Sequence, residues 1–178
     1  MAFNVQDFKS RGLTFHGARP TLFQVEINNP PAGTASGNTI DKIKFMCRAT
    51  QIPPEIVDAV PVGYFGRDIK VSGDRTYPDW NVSIINDEDF VVRDMLELWS
   101  NVQNSVVQNL RRDRDYKKEA IITQFGKEGD VLAQYEMVGI FPTTVGPIEL
   151  SWDNKNQIEV YDTVFAFDWW VRVTGFGA

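Results

Sequence analysis

Residues 62 to 77 read VGYFGRDIKVSGDRTY, a stretch whose three glycines, alternating charges and aromatic side chains fit either a phosphate-cradling loop or a β-hairpin arm. A phosphate loop needs closely spaced glycines, a Lys-Ser/Thr pair and a helix whose N-terminal amides face the ligand. Here Gly66 and Gly73 are separated by six residues, no Lys-Ser/Thr follows and no helix signal begins there. That favours the hairpin. Acid–base or nucleophilic catalysis fares no better, because His16 is the single histidine and lies beside Gly17, leaving Ser-His-Asp and Cys-His arrangements without a well-placed base and zinc without ligands. Cys47 sits inside an apolar alternation and reads as a small buried hydrophobe. The carboxylates Asp87, Glu88, Asp89, Asp162 and Asp168 offer material for a paired-acid site, but the first three suit a helix start and the last two a solvated sheet face. DNKNQ, Asp153 to Gln157, imitates a calcium loop only until Lys155 falls where a ligand belongs and the central glycine is missing, so it reads as a turn. No catalytic residue, cofactor site or metal site is expected, and the chain reads as a non-enzyme.

The elements behind these residues are mostly strands. A chain of 178 residues with 43% hydrophobic and 24% charged residues suits one globular domain spanning 1–178. A net charge of −6 argues against affinity for a phosphate backbone. No stretch approaches the roughly 20 apolar residues of a membrane span, and Met1 to Arg19 has neither an apolar core nor a cleavage site of a leader, so folding in the cytoplasm is the default expectation. Residues 1–19 read as an N-terminal arm. Leu22 to Ile27 alternates as a half-buried strand, Asn28 to Asn38 reads as an exposed loop, and Lys42 to Thr50 gives the clearest strand, with Ile43, Phe45, Cys47 and Ala49 on one face. Residues 55–77 form the hairpin arm, in which Pro61 suits an edge.

Trp80 to Ile85 is a strand, after which the period changes. Asn86 as N-cap, the following acids and the spacing of Val92, Met95, Leu96, Trp99 and Val102 predict a helix over 87–102. RRDRD, Arg111 to Asp115, reads as a solvated loop, while Val106, Val107 and Leu110 leave room for a second short helix. Lys118 to Phe125 and Leu132 to Phe141 are strands joined by the turn Gly126 to Asp130, and PTTVGP ends the second. Ile158 to Val173 is one long extended run with Tyr161, Phe165, Phe167, Trp169, Val171 and Val173 on a core-like face. The fold class is mainly β (α+β), an antiparallel sandwich or barrel of two packed sheets with one flanking helix and an extended hairpin arm.

Taken together, RPTLFQVEI (19–27), FMCRATQIP (45–53), VPVGYFGRDIKVSGDRTYPDW (60–80), NDEDF before the helix, YKKEAII (116–122), FPTTVGPIELSWD (141–153) and FAFDWW (165–170) resemble the tail tube proteins of contractile-tailed bacteriophages. The order and spacing hold from about Arg19 to Trp170. The resemblance implies a virion structural protein, made in the host bacterial cytoplasm. It would assemble as hexameric rings whose sheets join in a continuous inner barrel, and the rings would stack into a tube through which the genome is delivered. Implied partners are further copies of the chain, the surrounding sheath protein, and the baseplate and tail terminator proteins; DNA passes the lumen without specific binding, and there is no membrane anchor. Positions matching the inter-ring hairpin are Glu55 to Ser72, with Tyr64, Phe65, Arg67, Asp68, Ile69 and Lys70 as contacts. Glu26, Glu136, Asp162 and Asp168 are the candidates for lumen acids that would repel phosphate. The 29–41 loop looks longer than the family pattern and 174–178 adds a tail. Two alternatives remain open: a tube subunit of a related phage-derived contractile injection system, and a soluble β-sandwich ligand-binding module using Trp152, Trp169 or Trp170 as stacking platforms, although Trp169 reads better as core.

Overall fold

The structure is a computed structural model that describes residues 17–31, 33–35, 37–107 and 115–174. Most of the N-terminal arm expected over 1–19, the end of the chain after Thr174, and Leu110 with most of the RRDRD run lie outside the described residues.

Among the described residues nine strands and two helices follow in the order β1 (Phe23–Asn28), α1 (Gly37–Met46), β2 (Cys47–Thr50), β3 (Ile56–Tyr64), β4 (Arg67–Thr76), β5 (Trp80–Ile85), α2 (Val91–Gln103), β6 (Lys118–Phe125), β7 (Val131–Val145), β8 (Val160–Ala166) and β9 (Trp169–Thr174). All strand pairs are antiparallel. The body is one sheet of order β1-β6-β7-β8-β5-β2, with β9 also on β7. Its hinge is β7, whose Gln134–Val138 stretch lies between β6 and β9 while Phe141–Val145 pairs with β8. Between the two halves sits Gly139 at φ 74°, where a Cβ would come 2.2 Å from the Asp168 carboxylate. Only glycine makes that change of direction without strain. Two half-sheets result: half-sheet A (β1, β6, the start of β7, β9) and half-sheet B (the end of β7, β8, β5, β2).

The inner faces of both halves form one core. Val25, Ile27, Ala120, Ile122 and Met137 come from half-sheet A, and Trp80, Val82, Ile84, Tyr161 and Phe165 from half-sheet B. Helix α2 adds Val92, Met95, Leu96 and Trp99, the four apolar residues that its 3.6-residue period brings to one stripe. Trp99 packs on Phe165 with ring centroids 6.3 Å apart, and its indole nitrogen donates to the Tyr116 carbonyl at 2.7 Å.

Several expectations are corrected. The strand expected over Lys42–Thr50 is a helix to Met46 and a strand only from Cys47, so two helices flank the sheets rather than one. Thr39 and Ile43, one helical turn apart, are buried, whereas Phe45 is 76% exposed, so the two-residue alternation does not describe this segment. The loop expected to Asn38 therefore ends earlier, at the helix start Gly37, and Thr34 within it is buried with its hydroxyl donating to the Pro31 carbonyl at 2.6 Å. Asn86 is not the cap of α2: its amide donates to Glu159 at 2.7 Å, the chain turns through 87–90, and the helix begins at Val91. Phe90 takes the cap position in the left-handed region without a side-chain cap bond, while Asp89 accepts from the Val91 amide at 3.3 Å. Strand β7 runs on through Pro142, because a register shift between Pro142 and Thr144 absorbs the missing donor. The single run expected over 158–173 breaks at Phe167–Asp168 into two strands on different half-sheets. Trp169, Val171 and Val173 then stand 44–52% exposed on β9 instead of in the core.

Candidate functional site

With no catalytic constellation expected, the surfaces that could join copies carry the functional question, and the arm is the most conspicuous. Among the described residues strands β3 and β4 pair only with each other, around a two-residue turn at Phe65 and Gly66 with φ of 45° and 76°. Two positive φ values match the twist of the flanking strands, although for Phe65 the left-handed conformation costs about 1–2 kcal/mol. The turn is thus two residues long. At the other end a Cβ on Gly73 would lie 2.9 Å from the Asp58 carbonyl oxygen, beside the register shift between Val57 and Ala59. A glycine there lets the strands close.

Cross-strand partners share a face. Val60 with Val71, Val62 with Ile69 and Tyr64 with Arg67 line one side of the ribbon; Ala59 with Ser72, Pro61 with Lys70 and Gly63 with Asp68 line the other. Of the six contact candidates, Tyr64, Ile69 and Arg67 therefore lie on the apolar face, Asp68 and Lys70 on the polar one, and Phe65 at the tip, 90% exposed with its ring edge-on to Tyr64 at 4.5 Å. Every arm residue from Ile56 to Thr76 except Gly73 is exposed. An isolated two-stranded hairpin is marginally stable in water, and a contiguous apolar face without cover marks an interaction surface.

The four candidate lumen acids do not converge. Glu26 and Glu136 share a row through Ile121 on the outward face of half-sheet A, where the sequence reading missed a third acid, Glu119, opposite Val138. Glu26 also meets Lys44 of α1 at 3.4 Å. Asp168 sits in the turn between β8 and β9, paired with Lys117 at 2.6 Å. Asp162 alone is on the outward face of half-sheet B, opposite Ser83. Its neighbours there are mostly small or polar, Ala49 opposite Ser83 and, on either side of Val164, Asn81 and Thr144. The inner face of half-sheet B is covered by half-sheet A and by α2, whose Arg93 lies over the Tyr161 ring at 5.1 Å and donates to the Gly146 carbonyl at 3.0 Å.

The acids at 87–89 serve as a clip. Lys42 of α1 pairs with Asp87 at 2.6 Å and also with Asp89. Hydrogen bonds to Asp87 and then Asp89 raise the Lys42 amine above its ordinary 10.5, while the bond from Lys42, helped by the Glu88 amide, lowers Asp87 below 3.8. The raised lysine contributes stability below pH 10.5 that is lost as pH climbs through its folded value; the lowered acid contributes above pH 3.8 and loses it as pH falls through its folded value. Thermal melts of Lys42→Met are therefore expected to differ from the parent least at the two pH extremes and most between them. Cys47, pushed up to about 12 by burial, is no nucleophile at neutral pH. Among the described residues no group of three or more His, Cys, Asp or Glu side chains is placed to hold a metal.

The family of phage tail tube proteins matches residues 18–173. The chain belongs to that family. It is 35% identical over 156 residues to "Tail tube protein gp19" of Enterobacteria phage T4, covering 86% of this chain and 90% of the relative, and 34% identical to the gp19 of phage T6 over the same span. The fold is shared with the tube-terminating cap of an anti-feeding prophage (TM-score 0.63, 15% identity, 91% and 94% of the two chains) and with a chain of the sheath-tube complex of an extracellular contractile injection system (TM-score 0.61, 13% identity, 96% and 98%). The chain is accordingly a structural tube protein of the contractile-tail type, and the family match decides against the soluble binding module.

Proposed function

We propose that copies of this chain close into hexameric rings with half-sheet B turned toward a central lumen, and that the rings stack into the tube through which phage DNA leaves. The observation that carries this is the make-up of half-sheet B. Its inner face is buried by half-sheet A and α2, and its outward face bears the small and polar side chains of Ala49, Asn81, Ser83, Thr144 and Asp162. Such a wall is mostly small and polar, its nearest basic group being Arg48 at the register shift of β2, and Asp162 repeats in every copy to repel phosphates. On this reading Glu26, Glu119 and Glu136 face outward with α2, toward the sheath protein; baseplate and terminator proteins meet the two tube ends.

The edge of the half-sheet supports closure. Among the described residues strand β2 has β5 on one side only, and an unpaired edge is a template for another chain. A neighbouring copy satisfies it through a heterologous contact, which closes into a ring when the rotation permits. The protein acts as structure, without catalysis, in the virion. Electron microscopy of the purified protein together with its hydrodynamic size tests this. Sixfold rings or hollow tubes are expected; a monomer that stays monomeric after concentration and seeding contradicts the proposal.

A further inference from the structure

The arm and a polar-lined groove that carries three exposed apolar side chains lie at opposite ends of half-sheet B. Strand β5 starts at Trp80, directly after the arm, opposite Phe165; it finishes at Ile85 opposite Val160, where β8 begins. Six residues of strand separate these ends by about 20 Å. At the far end the segment from Glu149 to Val160, with Arg48 of β2, encloses a groove of about 450 Å³. Its lining exposes Leu150 (82%), Trp152 (99%) and Ile158 (73%). Exposure of that order on three large apolar side chains is as anomalous for an isolated subunit as the bare face of the arm.

We infer that the groove of residues 149–160 is the receptor for the arm of a second copy of this chain, in the next ring. The inference rests on the stacked-ring reading above and adds the site where the arm lands. Three features single out this occupant. The two surfaces sit at opposite ends of one half-sheet, so copies stacked by translation bring arm to groove and the contact propagates without closing. The arm's nine- and ten-residue strands extend about 30 Å, enough to cross the junction. The charges allow one pairing: Arg67 stands on the apolar face at the arm tip, and the groove, which Arg48 also lines, offers Glu149 and Glu159, the latter already engaged by Asn86. Among the described residues neither Arg67 nor Glu149 has an ion pair within its own chain. Val62, Tyr64 and Ile69 then cover Leu150, Trp152 and Ile158, and Arg67 meets Glu149.

Crosslinking in assembled tubes tests the contact. In a Cys47→Ala background, Tyr64→Cys and Trp152→Cys are combined and the tubes treated with a short bis-maleimide. A ladder of crosslinked multimers is expected, absent from either single-cysteine protein. Normal tubes without a ladder would overturn the groove assignment while leaving the stacked-ring reading intact, whereas failure of the unmodified chain to form tubes removes that reading itself. Charge exchange is the second arm: Arg67→Glu and Glu149→Arg should each reduce tube length severalfold, and the double variant should restore it. Single variants that assemble like the parent, or a double variant no better than either, would count against the pairing.

Discussion

Ile69→Asp is expected to stop tube growth at concentrations where the parent protein assembles, while leaving the subunit folded. Ile69 is 54% exposed in the middle of the apolar face of β4, paired with Val62, and touches no part of the core. A charge there meets water in the free subunit, so the thermal transition should move by no more than about 0.5 kcal/mol, as for an ordinary surface change. In a junction the same carboxylate would be buried against apolar side chains, and an unpaired buried charge is strongly disfavoured. Because every subunit presents one arm, the loss repeats around each ring and multiplies. Removing 64–67 should act the same way. Loss of the folded subunit in either variant would mean that the arm belongs to the core.

Trp80→Ala should instead strike the fold. Trp80 is fully buried, stacks on Phe165 at 5.3 Å, and its indole nitrogen donates to the Thr50 hydroxyl at 2.8 Å and the Gln51 carbonyl at 3.1 Å. Those bonds tie together the two points where the arm leaves and rejoins half-sheet B. Truncating a core tryptophan costs about 3–5 kcal/mol, a large part of the roughly 5–15 kcal/mol that holds a domain together, and a fall in Tm of about 6–20 °C is expected. Trp80→Phe keeps most of the apolar contact and loses the hydrogen bonds with a smaller part of the packing. Its smaller cost, about 1–2 kcal/mol, measured by denaturant unfolding, would separate packing from anchoring.

The strands were legible where one face is buried and the other wet. Trp80 to Ile85 and Lys118 to Phe125 alternate as expected because each half-sheet has a core side and an open side. Lys42–Met46 was not legible, since Ile43, Phe45 and Cys47 satisfy a period of two as well as Thr39 and Ile43 satisfy a helical turn. The contacts this helix makes, Lys42 with Asp87 and Asp89 and the burial of Ile43 in the core, join residues far apart in sequence. Trp169, Val171 and Val173 misled for a related reason. An apolar parity predicts burial of some kind, yet β9 leaves the core side after Phe167 and keeps these side chains exposed. The arm was legible from Pro61 and its turn glycines, whereas the groove was not, because Leu150, Trp152 and Ile158 sit in an irregular segment with no period to read. Glu119 escaped notice because only the pairing of β6 with β7 shows that it shares a face with Glu136.

A helical reconstruction of the assembled tube tests the central claim most directly, namely that half-sheet B lines the passage. The map should show β2 paired with a neighbouring copy and Asp162, Ser83 and Asn81 facing the lumen, with Glu26, Glu119 and Glu136 on the outside. A lumen walled by half-sheet A, with those three glutamates pointing at the axis, would contradict it.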